Sequence, residues 1–189
     1  MELQALEKRC AHVPGLAKRL GQFYESFFSE DYDGVLLLTY PRLFNIMPKE
    51  AMRKKLLETL HNEDTDVMMD LVTIDKVGKI VDHEEGRFVK LDYTLLMAVR
   101  FKADLTENLK KKKPKKKKEF LLSLFEAQYG KKNSWFEETT RSYCFHVKNS
   151  MVAIEDSDSP QWTFLTIKKG PMMEIFLPDD VRILFEAEM

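Results

Sequence analysis

Apolar residues recur with a helical period near the start of the chain. Leu16, Leu20, Phe23 and Phe27 lie four, three and four apart, which draws one apolar face along a helix over Leu16–Phe28. Ser29-Glu30-Asp31 interrupts that face, and a second apolar stretch runs from Val35 through Leu38, Tyr40, Leu43 and Phe44. Pro41 falls inside it, and its missing N–H predicts a break or kink there. Pro48 suits the first position of a third helix, with Glu50 in its first turn and Met52, Leu56, Leu57 and Leu60 along one side.

The period then drops to two. From Lys90 to Phe101 the odd positions are Leu91, Tyr93, Leu95, Met97, Val99 and Phe101, while Lys90, Asp92, Thr94 and Arg100 stand among the even ones, which predicts a long strand with one apolar face. Residues 67–81 read as an earlier strand, joined to it through a turn at His83-Glu84-Glu85-Gly86. Tyr143, Phe145 and Val147 alternate with Cys144, His146 and Lys148 in a third strand. Met151 to Ile154 and Trp162 to Ile167 flank Asp156-Ser157-Asp158-Ser159-Pro160, the pattern of a hairpin with a hydrated acidic tip. Between the second and third strands, Glu119 to Tyr129 carries Phe120, Leu121, Leu124 and Phe125 on one helical face and stops at Gly130. Pro178-Asp179-Asp180 opens a terminal helix bearing Val181, Leu184 and Phe185. Helices followed by a mostly antiparallel sheet with one inserted helix make an α+β domain spanning 1–189.

Composition limits the function classes. The chain has 189 residues, 44% apolar and 32% charged, enough to bury a core and too apolar to be disordered. No apolar run approaches the ~18 to 20 residues that cross a bilayer, and charges at Glu2, Glu7, Lys8 and Arg9 occupy the place of an export signal's apolar stretch. A cytoplasmic location with Cys10 and Cys144 as free thiols is the expectation. The 30 basic and 31 acidic residues balance, but eight lysines stand together around Pro114: Lys110, Lys111, Lys112, Lys113, Lys115, Lys116, Lys117 and Lys118. Setting those eight aside leaves 22 basic residues against 31 acidic, net −9. The inserted stretch 102–118 therefore reads as an extended, solvated loop of opposite sign to the body. Its functional readings are contact with nucleic acid, with an anionic surface or with an acidic patch on another copy. The lack of interleaved aromatics or arginine makes nucleic acid the weaker of these.

The stretch Asp31-Tyr-Asp-Gly-Val-Leu-Leu-Leu-Thr-Tyr-Pro-Arg-Leu43, followed by Pro48-Lys-Glu-Ala-Met52, resembles a helix-Thr-Tyr-Pro-helix passage of bacterial NTF2-like proteins. Met151 to Ile154 with Gln161 to Leu165 is similar to the closing hairpin of that superfamily. The resemblance implies a cone, in which a strongly curved antiparallel sheet wraps N-terminal helices around a cavity. Members range from enzymes such as ketosteroid isomerase to plain association modules, so the fold does not choose a function. The insertion after Phe101 departs from the pattern.

On that fold, Phe23, Tyr24, Phe27, Tyr40, Tyr93, Phe145 and Trp162 are the candidate pocket residues for a small apolar ligand held by a few hydrogen bonds, against their alternative as ordinary core. An isomerase or dehydratase would need a carboxylate or histidine facing a hydroxyl. His146 and Asp92 both alternate onto the face opposite the aromatic residues, so no catalytic residue is assigned. No metal-ligand spacing and no phosphate-cradling glycine motif occurs, so no cofactor is expected. Trp162 and Phe164 on one face of their strand, and Leu165 and Ile167 on the other, require a cover on both sides. The inserted helix or a second subunit packed sheet to sheet would supply it, the latter giving a homodimer. The expected function is a non-catalytic ligand-binding or association module. Its rivals are a small-molecule isomerase or dehydratase and an anion-binding protein using the lysines.

Overall fold

The computed structural model describes residues 3–61, 63–102, 114–167 and 170–188. Four helices open the chain: α1 (Leu3–Arg9), α2 (Leu16–Phe28), α3 (Tyr32–Leu38) and, after a short 3-10 turn at Pro41–Asn45, α4 (Lys49–Leu60). Strands β1 (Thr65–Val77), β2 (Val81–His83) and β3 (Gly86–Phe101) follow, then α5 (Pro114–Tyr129), β4 (Ser134–Glu137), β5 (Ser142–Asp156) and β6 (Thr163–Ile167). Helices α6 (Pro171–Phe176) and α7 (Asp179–Ala187) come last. The strands form one sheet in the order β1-β3-β5-β4, with β2 on β3 and β6 on β5; the pairs β2/β3, β4/β5 and β5/β6 are antiparallel. The architecture is α+β.

Each helix boundary has a local cause. The Asp31 carboxylate accepts the Gly34 N–H at 3.0 Å and caps α3, so the polar interruption after α2 is a helix start. Pro41 breaks the helix outright: α3 ends at Leu38, Thr39 and Phe164 form a parallel bridge, and the Tyr40 N–H donates to the Phe164 carbonyl at 3.0 Å. The stretch expected as one strand over 67–81 is two, because the chain leaves β1 at Val77 and re-enters as β2. β2 and β3 pair His83 with Gly86, leaving Glu84 and Glu85 as the turn. Gly86 is required there: its φ is +150°, and a Cβ would stand 2.7 Å from the Glu155 carbonyl oxygen. The two segments read separately as Tyr143–Val147 and Met151–Ile154 are one strand, β5, whose polar middle Lys148-Asn149-Ser150 stays in the ladder.

The chain divides into two compact units. The first comprises Met1–Arg53, Val72–Thr94 and Lys148–Met189; the second comprises Lys54–Leu71 and Leu95–Val147. In the first unit both sheet faces are covered by the chain itself. On one, Phe23 of α2 packs on Phe164 with ring centroids 5.0 Å apart, and the Trp162 indole N–H donates to the Pro14 carbonyl at 2.9 Å. On the other, Leu165, Ile167, Phe88, Val152 and Ile154 share a core with Met173, Phe176, Leu177, Val181 and Phe185. The second cover for β6 is therefore α6 and α7, not the inserted helix and not a second subunit. Leu184, expected inward on the terminal helix, is exposed, because Val181 and Phe185 fill the inward positions four apart.

In the second unit α5 lies on β4 and β5. It begins at Pro114, five residues before the expected start, as suits proline at a first helical position. Lys115, Lys116, Lys117 and Lys118 are consequently helical, a correction to the extended loop expected for them. Lys110, Lys111, Lys112 and Lys113 lie outside the described residues. Half of the expected apolar face of α5 packs inward: Leu121 is buried, with Phe125 and also Leu122 packed alongside, whereas Phe120 and Leu124 are exposed. The rings of β5 set this orientation. Phe125 stacks on Phe145 at 4.9 Å and 18°, and Tyr129 stacks on Phe145 at 4.3 Å and 8°.

Candidate functional site

The expected pocket residues do not form one group. Phe23, Tyr24 and Phe27 of α2 come together with Tyr93 of β3 and Phe164 of β6. Phe23 meets Phe27 and Phe164 edge-on or tilted at 5.0 Å, and Tyr24 meets Tyr93 at 6.4 Å. Tyr40 lies in the core beneath α6 and α7, against Phe176. Phe145 belongs to the stack under α5 in the second unit. Trp162 is pinned by its bond to Pro14 and covered by the Arg87 guanidinium 5.2 Å from its ring.

The α2–β3–β6 cluster follows from three periodicities. Phe23 and Tyr24 fall on the inward arc of α2 with Leu16 and Leu20. Tyr93 is an odd position of β3 and Phe164 an even position of β6, which the pleat turns toward α2. Phe27, only partly buried, stands at the rim. Inside this cluster the hydroxyl of Tyr24, a residue only 4% exposed, is buried without a hydrogen-bond partner among the described residues. Burial first, and then the neighbouring Tyr93, pushes its phenol well above the ordinary range. The Tyr93 hydroxyl has Thr166 as a hydrogen-bond partner, and Thr166 is exposed on β6. A buried hydroxyl with nothing to donate to costs about 1 to 3 kcal/mol, so this is an energetically unfinished place in the fold. Phe164 and Thr166 are the site residues that sequence reasoning missed; the alternation along β6 carries the signal, since both share the face of Trp162.

A second constellation lies at the tip of the β5–β6 hairpin. The Tyr40 hydroxyl donates to Asp156 Oδ2 at 2.6 Å, while Asp156 Oδ1 accepts the backbone N–H groups of Asp158 and Ser159 at 3.0 and 2.8 Å. Arg42 gathers three carboxylates: Asp158 at 2.6 Å, and Asp156 and Glu85 at 3.7 Å each. Ser157, Asp158 and Pro160 of the tip are exposed, as a hydrated turn expects, but the Asp156 side chain is 2% exposed and departs from that expectation. Its Oδ1 closes the hairpin's own turn while its Oδ2 ties that turn to the Tyr40–Arg42 segment, so it acts as a clasp. Burial and the Asp156 hydrogen bond push the Tyr40 phenol up.

Asp92 turns to the side of β3 opposite Tyr93, and His146 to the side of β5 opposite Tyr143 and Phe145, as alternation expects. Asp92 accepts the Ser150 hydroxyl at 2.6 Å and pairs with Lys90 at 3.4 Å; His146 is exposed, with its ring 5.3 Å from that of Trp135. Lys90 is a buried cation whose ammonium also donates to the Glu188 carbonyl at 3.0 Å, at the end of α7. Both cysteines are buried, and burial raises the Cys10 thiol to about 11. Among the described residues no group of three or more His, Cys, Asp and Glu side chains is placed to hold a metal ion. Among them, too, no helix is long and apolar enough to cross a membrane. No family model, no curated protein and no solved structure matches this chain.

Proposed function

We propose that this chain is a non-catalytic binding module of the NTF2-like kind, and that its ligand is small, largely apolar and carries a hydrogen-bond acceptor for Tyr24. The observation that carries the reading is the buried, unpartnered Tyr24 hydroxyl among Phe23, Phe27, Tyr93 and Phe164. Aromatic rings supply the apolar contact, the two tyrosines supply orientation, and the exposed Thr166 beside Tyr93 marks the way in. Binding rather than turnover is favoured because burial and Tyr93 account for the perturbation of Tyr24, with no carboxylate or histidine among its causes.

Acetophenone and ethylbenzene, alike in shape but differing in a carbonyl acceptor, test the reading by titration calorimetry. Wild-type protein should bind acetophenone the more tightly by roughly tenfold, the worth of one hydrogen bond of about 1.5 kcal/mol. Tyr24→Phe should bring the two affinities together. Failure of both probes to bind, or equal affinities in the wild type, would reject the proposal.

The isomerase or dehydratase reading draws on one observation, the 2.6 Å contact between Tyr40 and the buried Asp156. The three hydrogen bonds that Asp156 already accepts leave it poorly placed to take a proton from a substrate.

A further inference from the structure

Two helices carry exposed apolar stripes flanked by opposite charge. On α5, Phe120 is 40% and Leu124 52% exposed, one and two turns beyond the exposed Lys116, in a helix whose first turn is rich in lysine. On α7, Ile183 is 60% and Leu184 47% exposed, following Asp179 and Asp180 in its first turn and preceding Glu186 and Glu188. The neighbouring α6 adds Ile175, 58% exposed, beside the exposed Glu174. Apolar side chains grouped in this way on a helix face, with charge beside them, are the usual composition of an interaction surface.

We infer that these two faces are the two halves of one interface, with α5 of one copy of the chain docking on the α6–α7 face of another. Charge decides the pairing. Two α5 faces brought together would oppose lysines to lysines, and two α7 faces would oppose the negative charge that remains where Asp179, Asp180 and Glu186 surround the single Arg182, which pairs with Asp179 and Glu186, whereas the crossed pairing sets basic against acidic. The apolar stripes then bury against each other inside a charged rim. The contact uses neither β6 nor its neighbours, whose faces the chain already covers. A nine-residue helix is about 13.5 Å long, so the area is at the low end for protein interfaces and the association is of micromolar or weaker strength.

Sedimentation velocity on the full chain at 10 to 200 µM tests it, first in low salt and then in 0.5 M sodium chloride. Wild type should self-associate in low salt and dissociate at least tenfold more readily in high salt, since exposed charges are screened within a few ångströms at that ionic strength. Ile183→Lys places a cation against the lysines, and Leu124→Glu an anion against the acidic face. Each alone should weaken association by roughly tenfold or more. An equimolar mixture of the two variants should recover it in part, because the unaltered α5 of Ile183→Lys can dock on the unaltered α6–α7 face of Leu124→Glu. Both positions are exposed, and unchanged circular dichroism confirms that each variant folds. A wild type that stays monomeric at 200 µM in low salt, single variants that associate as the wild type does, or a mixture no better than its parts would each overturn the inference.

Discussion

Tyr24 and Tyr40 allow the same chemical change to be made at two buried places with opposite expected sign. Both residues are almost fully enclosed, 4% and 1% exposed, and removing either hydroxyl leaves a phenylalanine of nearly the same shape. Tyr40 donates a 2.6 Å hydrogen bond to a carboxylate that is itself buried. Tyr40→Phe should therefore cost about 1.5 to 3 kcal/mol, the range for a hydrogen bond to a charged group, because Asp156 Oδ2 keeps only Arg42 at 3.7 Å. The Tyr24 hydroxyl donates to nothing, so Tyr24→Phe removes a desolvation cost without breaking a bond. A gain of about 2 kcal/mol follows, and for a chain of this length that raises the melting temperature by about 4 to 8 °C. Urea unfolding at pH 7, followed by the fluorescence of the buried Trp162, measures both variants on one scale. If Tyr24→Phe loses stability as Tyr40→Phe does, the Tyr24 hydroxyl is satisfied in the free protein, and the physical basis of the ligand site goes with it.

Three further outcomes are expected. Gly86→Ala should destabilise the protein by about 2 kcal/mol, since its φ of +150° strains an L residue and the added methyl meets the Glu155 carbonyl at 2.7 Å; urea midpoints read this. Lys90→Met should destabilise the protein by about 1 to 3 kcal/mol, because it removes one partner of the pair and leaves the Asp92 carboxylate and the Glu188 carbonyl without their cation, and it should speed amide exchange at the end of α7, where the Lys90 bond to Glu188 is lost. Unchanged exchange at residues 186–188 would show that Lys90 does not anchor that end. The carboxyl of Asp66 is held down to about 2 by hydrogen bonds from Lys102 and Arg100. A depressed carboxylate stabilises the fold above its unfolded pKa of about 3.9, and this contribution is lost as pH falls from about 4 toward 2. The Asp66 carboxyl resonance should titrate near 2, and Asp66→Asn should flatten the acid limb of the stability curve in that window; a midpoint near 4 would contradict the pairing.

Much of the element order is legible in the residues because it depends on short-range rules. The 3.6-residue period of Leu16, Leu20 and Phe23 and the alternation from Leu91 to Val99 both appear where expected, with those residues buried except Met97, which is half-buried. The break at Pro41 and the turn before Gly86 follow from backbone chemistry alone. Segments with weak local signals went unread: α1, the four-residue β4 and the six-residue α6 are too short for a period to emerge. Residues 148–150 also hid the continuity of β5, because a polar triplet resembles a turn until its ladder partners are known.

The candidate site depends on what the sequence does not contain. Composition and periodicity determined that the protein is α+β, that β6 needed cover on both faces, and that His146 and Asp92 turn to the sides opposite Tyr143 and Phe145 and opposite Tyr93. Only the tertiary structure decided that α6 and α7 provide the second cover, that seven candidate aromatic residues separate into distinct groups, and that Asp156 is a buried clasp instead of a wet turn. The physical reason is the range of the interactions. A residue's preference for helix, strand or interior is written in its neighbours three or four positions away. Whether the Tyr24 hydroxyl finds an acceptor is settled by Tyr93 and Phe164, which sit 69 and 140 positions further along the chain.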